Sequence, residues 1–125
     1  MDNYFIQAQR VRRLIQGDFN KVFSLPHLIS NKASQEVSND TERVDVLLTP
    51  CSLSPAPLLS DVLAAKSPLD AYVNDVLTVP ASLAGIPAMT IPVQASEGGE
   101  PVGMQLLAQY GDEDALFEVA QILAQ

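Results

Sequence analysis

The chain has 125 residues, nearly half of them hydrophobic, which suits one folded domain and argues against low-hydrophobicity disorder. Seven basic residues against fifteen acidic ones leave a net charge of -8, which argues against a basic nucleic-acid-binding face and against docking on an anionic membrane surface. Cys51 is the only cysteine, so no internal disulfide and no cysteine-based metal cluster is available. No apolar run approaches the ~18 residues that a membrane span requires.

Residues 2–23 read as a helix. Tyr4, Ala8, Val11, Ile15, Phe19 and Val22 recur at spacings of three and four and form one apolar stripe, with Arg10, Arg13 and Gln16 off it. Asp2 or Asn3 supplies an N-cap, and Gly17 is a candidate break. Met1 leads directly into this pattern, so no Arg- and Ser-rich transit segment is in view.

Residues 24–43, "SLPHLISNKASQEVSNDTER", are rich in Ser, Asn and charge and read as a loop. "VDVLLTP" (44–50) is a short, branched, apolar run closed by proline, the pattern of a buried strand. Pro55, Pro57 and Pro68 make 51–68 irregular, apart from a short helix near 58–65.

Residues 69–85, "LDAYVNDVLTVPASLAG", suggest helix, interruption, helix. Thr78 is placed to cap the second helix, with Pro80 in its first turn, where a missing N–H matters little. Gly85 ends that helix and Pro87 forbids continuation. "AMTIPV" (88–93) follows as a strand, and Pro92 marks it as an edge or a bulge. "QASEGGEP" (94–101) is a turn, and "VGMQLLAQ" (102–109) returns as the second strand of a hairpin. A helix at 112–124 closes the chain. Asp112, Glu113 and Asp114 complement its positive end, and Leu116, Val119, Ala120 and Leu123 form its stripe. The sum is a mixed α/β assembly with at most three strands, which covers the uncharged run 78–93 poorly. That run therefore looks like an interior layer of a larger sheet.

Few residues carry chemistry. His27 is the only histidine and lies beside the polar loop, so it reads as a solvated loop residue. Cys51 reads as a small packed residue after a strand, with no base indicated for it. "SEGGEP" does not open a helix after a strand and is a turn rather than a phosphate cradle. No residues show metal-ligand spacing. Asp75, in "YVND", stands among Tyr72, Val73, Val76 and Leu77. A carboxylate there is either a helix cap at the interruption or a group that faces a ligand. The residues alone favour the cap.

Four segments follow one another in a telling order: "AQRVRRLIQGDFNKVF" (8–23), "DVLLTP" (45–50), "YVNDVLTVPASLAGIPAMTIPV" (72–93) and "PVGMQLLAQYGDEDALFEVA" (101–120). Together they resemble the C-terminal third of the amidase-signature family. Within it they are most similar to the glutamine-hydrolysing A subunits of glutamyl-tRNA(Gln) amidotransferases. The resemblance implies an α/β fold, a large mixed sheet covered by helices, of which residues 1–125 are a C-terminal portion. It implies glutamine hydrolysis by a Ser–cis-Ser–Lys triad, with ammonia passed to a partner subunit that amidates glutamyl-tRNA(Gln). B and C subunits are the implied partners, with tRNA reached through them, and ATP and Mg are used by the partner rather than by this chain.

By the same resemblance the triad and the arginine that holds the glutamine carboxylate lie upstream of Met1. Lys32 and Lys66 stand in loops without matching context, so no catalytic residue is assigned here and the chain alone is expected to be inactive. One functional residue carries over. Asp75 matches the aspartate that contacts the α-ammonium of glutamine, a charge-assisted hydrogen bond, and this raises the ligand-facing role above the cap. The long polar loop 24–43 suggests an organellar relative, hence the mitochondrial matrix, with the cytoplasm as the alternative. Two other readings stand beside this one: a fragment of another amidase-signature hydrolase acting on small amides, and a non-catalytic interaction module.

Overall fold

The computed structural model describes residues 2–29, 43–64, 72–73, 75–94 and 99–123. Its elements run α1 (Asp2–Val22), β1 (Val46–Pro50), α2 (Leu59–Ala64), α3 (Val79–Ala84), β2 (Ala88–Gln94), β3 (Pro101–Ala108) and α4 (Glu113–Leu123). The three strands form one antiparallel sheet in the order β1-β3-β2. The sequence expectations hold for the hairpin, for the short helix after the first prolines and for the closing helix. Gly17 does not break α1, which runs unbroken for 21 residues.

The strand order follows from composition. β3 has apolar residues on both faces: Met104, Leu106 and Ala108 point one way and Leu107 the other. Such a strand belongs in the middle. β1 and β2 each contain a proline, Pro50 and Pro92, which suits the two edges. The register sets Thr49 and Thr90 beside Gln105, and Leu47 and Ala88 beside Leu107.

Two cores result, one on each face. On the first, Leu107 and Leu47 meet Phe23, Ile15 and Phe19 of the α1 end, with Ala81 and Ala84 of α3 and Ile86. On the second, Leu106, Ala108 and Ile91 meet Leu116 and Ala120 of α4. Each such fully buried aliphatic contributes about 1.5–3 kcal/mol. Leu123, expected on the buried stripe of α4, is instead half exposed and lies outside the core that Leu116 and Ala120 join.

α3 is delimited as its residues require. Pro80 occupies the first turn, and Gly85 adopts φ +73°, a left-handed conformation in which its N–H bonds to Ala81 O. Thr78 does not cap the helix through its side chain. Its backbone is already helical (φ -97°, ψ -29°), which turns its hydroxyl back toward Asp75 O at 3.2 Å. The free carbonyls at the end of α3 are met by α1. Arg12 Nε donates to Leu83 O at 2.7 Å and Gln16 Nε2 to Ala84 O at 3.1 Å. Arg12 and Gln16 are one turn apart on α1, so both reach the same helix end.

Candidate functional site

The residues nearest to Asp75 determine what this region can do. Tyr72, Val73 and Asp75 are helical, 76–78 form a turn, and α3 follows. The interrupted helix expected here is thus present across the described residues. Thr78 N–H and Thr78 Oγ1 both donate to Asp75 O, at 3.1 and 3.2 Å, and Val76 N–H donates to Val73 O at 3.4 Å. The Asp75 side chain is exposed and makes no hydrogen bond to another described residue. Among the described residues the hydrogen bonds hold the Asp75 carbonyl, and none of them engages its carboxylate.

Beneath this turn the sheet face is polar. Thr49, Gln105 and Thr90 lie in one row across the three strands. Gln105 is 3% exposed, and its Nε2 donates to Leu77 O at 2.8 Å and to Pro50 O at 3.4 Å. Thr49 Oγ1 is buried with no partner among the described residues. Cys51 continues the ladder, its N–H donating to Gly103 O at 2.9 Å, and its Sγ lies 3.3 Å from Thr90 Oγ1. A Cβ on Gly103 would meet Cys51 Cβ and Sγ at 3.3 Å, so the glycine admits the cysteine. Cys51 is packed, as its position after a strand implies, and no base adjoins it among the described residues.

A second polar cluster sits at the opposite end of α3. A cleft of about 400 Å³ there is lined by Arg12, Arg13, Gln16, His27 and Tyr110 among others. The expectation of a solvated His27 is overturned. The ring is 8% exposed and stacked on Tyr110 at 4.9 Å. Ile29 N–H donates to its Nδ1 at 3.2 Å, and its Nε2 lies 3.2 Å from Gln16 Nε2. Tyr110 and Gln16 come from distant parts of the chain, so nothing local to His27 signals this burial. Among the described residues no group of histidine, cysteine, aspartate or glutamate is placed to hold a metal ion, and no helix is long and apolar enough to cross a membrane.

Gln105 and Gln109 were not singled out by sequence reasoning. Gln109 is 1% exposed, donates to Asn20 Oδ1 and Leu25 O, and accepts from Tyr110 N–H at 2.9 Å. The available signal was their place in a strand whose other residues are apolar on both faces. A polar side chain in such a strand must be buried and therefore partnered.

The chain is 55% identical over 123 residues to the A subunit of the mitochondrial glutamyl-tRNA(Gln) amidotransferase of Tuber melanosporum, covering 98% of this chain and 25% of that protein. The corresponding mitochondrial protein of Neurospora crassa is 45% identical over 140 residues, at 99% and 26% coverage. The crystal structure of the glutamyl-tRNA(Gln) amidotransferase A subunit from Thermotoga maritima superposes with a TM-score of 0.63 at 32% identity, over 87% of this chain and 19% of that one. The chain thus spans about a quarter of the length of the curated relatives it matches. Residues 1–117 match the family model described as Amidase, and the chain belongs to the amidase family.

Proposed function

We propose that this chain supplies the C-terminal part of the glutamine-hydrolysing subunit of a mitochondrial glutamyl-tRNA(Gln) amidotransferase. The 55% identity to the Tuber protein over nearly the whole chain carries the reading. In it, Asp75 receives the α-ammonium of glutamine. The exposure of Asp75, and the bond that ties Leu77 O of its turn to Gln105, support that role. The bond it offers is charge-assisted, and hydrogen bonds to charged groups are worth about 1.5–3 kcal/mol.

The remaining roles fall to other parts of the assembly. The serine nucleophile, its lysine base and the clamp for the glutamine carboxylate come from residues outside this chain. B and C subunits take up the ammonia and amidate glutamyl-tRNA(Gln) with ATP and Mg, and the site of action is the mitochondrial matrix. This chain alone hydrolyses no glutamine.

The test is a graft. The matching quarter of the Tuber protein is replaced by this chain, the hybrid is produced with its partner subunits, and glutamine hydrolysis and Gln-tRNA(Gln) formation are measured. The reading expects both activities within about tenfold of the parent, a difference of ~1.4 kcal/mol. A folded hybrid that hydrolyses simple amides but neither hydrolyses glutamine nor amidates the tRNA contradicts it.

A further inference from the structure

The turn that carries Asp75 has little packing to hold it. Tyr72, Val73 and Val76 are all exposed. Its placement therefore depends on hydrogen bonds. Two of them close the turn on itself, from Thr78 to Asp75 O. Gln105 is what fastens it to the sheet. Its amide reaches out of the central strand to Leu77 O at 2.8 Å, and its second contact, Pro50 O at 3.4 Å, ties the same amide to the end of β1.

We propose that Gln105 is a positioning residue for the α-ammonium subsite, and that by holding Leu77 O it sets the enzyme's preference for amides bearing an α-ammonium. The inference rests on the reading of Asp75 as the group that meets this ammonium. Three features of the geometry support it. Gln105 is buried, and a buried amide must have its donors met. Both its contacts are to main-chain carbonyls of other segments, which fixes backbone position rather than side-chain chemistry. Leu77 is two residues from Asp75, with the Thr78–Asp75 bonds making the intervening turn rigid. A displacement of Leu77 O thus moves the Asp75 carboxylate.

The test uses the intact amidotransferase complex whose amidase subunit contains this sequence. Gln105→Met keeps the side-chain length and removes the donors. Two substrates are compared: glutamine, and 5-amino-5-oxopentanoate, which is glutamine without its α-amino group. For Gln105→Met, kcat/KM for glutamine is expected to fall about tenfold, the scale of one hydrogen bond, mainly through KM. The value for the deaminated substrate stays unchanged. In an Asp75→Asn background Gln105→Met adds no further loss, because it acts through that carboxylate. Should Gln105→Met fail to fold, Gln105→Asn keeps an amide but withdraws it by one methylene, and the same pattern is expected. Equal losses on both substrates, or additive losses in the double variant, overturn the proposal while leaving Asp75 in place. An unchanged KM for glutamine in Asp75→Asn alone overturns the reading of Asp75 and this inference with it.

Discussion

Leu106 on β3 is 1% exposed, whereas Tyr4 and Val11 on the α1 stripe are 87% and 53% exposed. All three belong to regular elements with apolar patterning of the kind that marks a buried face. They differ in what surrounds them. β3 has a strand on each side, α4 over one face and the α1 end with α3 over the other. Residues 3–11 of α1 are exposed, whereas further along Arg12 and Gln16 reach the end of α3 and Ile15, Phe19 and the adjoining Phe23 reach the core. An apolar pattern therefore reports that a face is meant to be covered, not that this stretch of chain covers it. The chain matches only a quarter of its relatives' length. The bare face of α1 is the kind of surface that a larger amidase fold has the material to bury.

Substitutions can break or sharpen this contrast. Leu106→Ala empties a site enclosed by Ile91, Leu116 and Ala120 and is expected to cost about 3–4 kcal/mol in urea unfolding. Gln109→Leu comes next. It removes the side-chain partner of Leu25 O and Tyr110 N–H in a part-buried setting and is expected to cost about 1–2 kcal/mol by the same measurement. Gly85→Ala forces a side chain into a left-handed conformation, at about 1–2 kcal/mol, visible as a lowered melting temperature. Leu14→Ser, on the bare face, should change stability by less than ~0.5 kcal/mol. It should also reduce self-association in sedimentation velocity, since exposed apolar patches promote association. A loss of about 2 kcal/mol or more for Leu14→Ser, the scale of a core substitution, would mean that α1 is covered after all and would remove the contrast.

Sequence alone shows where regular structure begins and ends, because those signals are local. The α1 stripe, the Pro80 entry and Gly85 exit of α3, and the alternation in 88–109 all report through near neighbours. What it misses is set by tertiary contacts or by the backbone conformation itself. His27 reads as solvated until Tyr110 and Gln16 are seen against it. Thr78 reads as a cap until its helical backbone turns the hydroxyl toward Asp75 O. Gln105 and Gln109 carry no local mark of burial, since only the β1-β3-β2 order makes β3 central. Asp75 was legible as a position of interest through its "YVND" setting. Its exposure was not.

The central claim is that Asp75 serves the glutamine site of a larger amidase subunit. It is tested most directly by the Michaelis constant for glutamine of Asp75→Ala in the grafted, partner-bound protein. Loss of a charge-assisted bond predicts a rise of about 10- to 100-fold, with kcat for bound glutamine far less affected. A Michaelis constant equal to that of the unsubstituted protein would contradict the account.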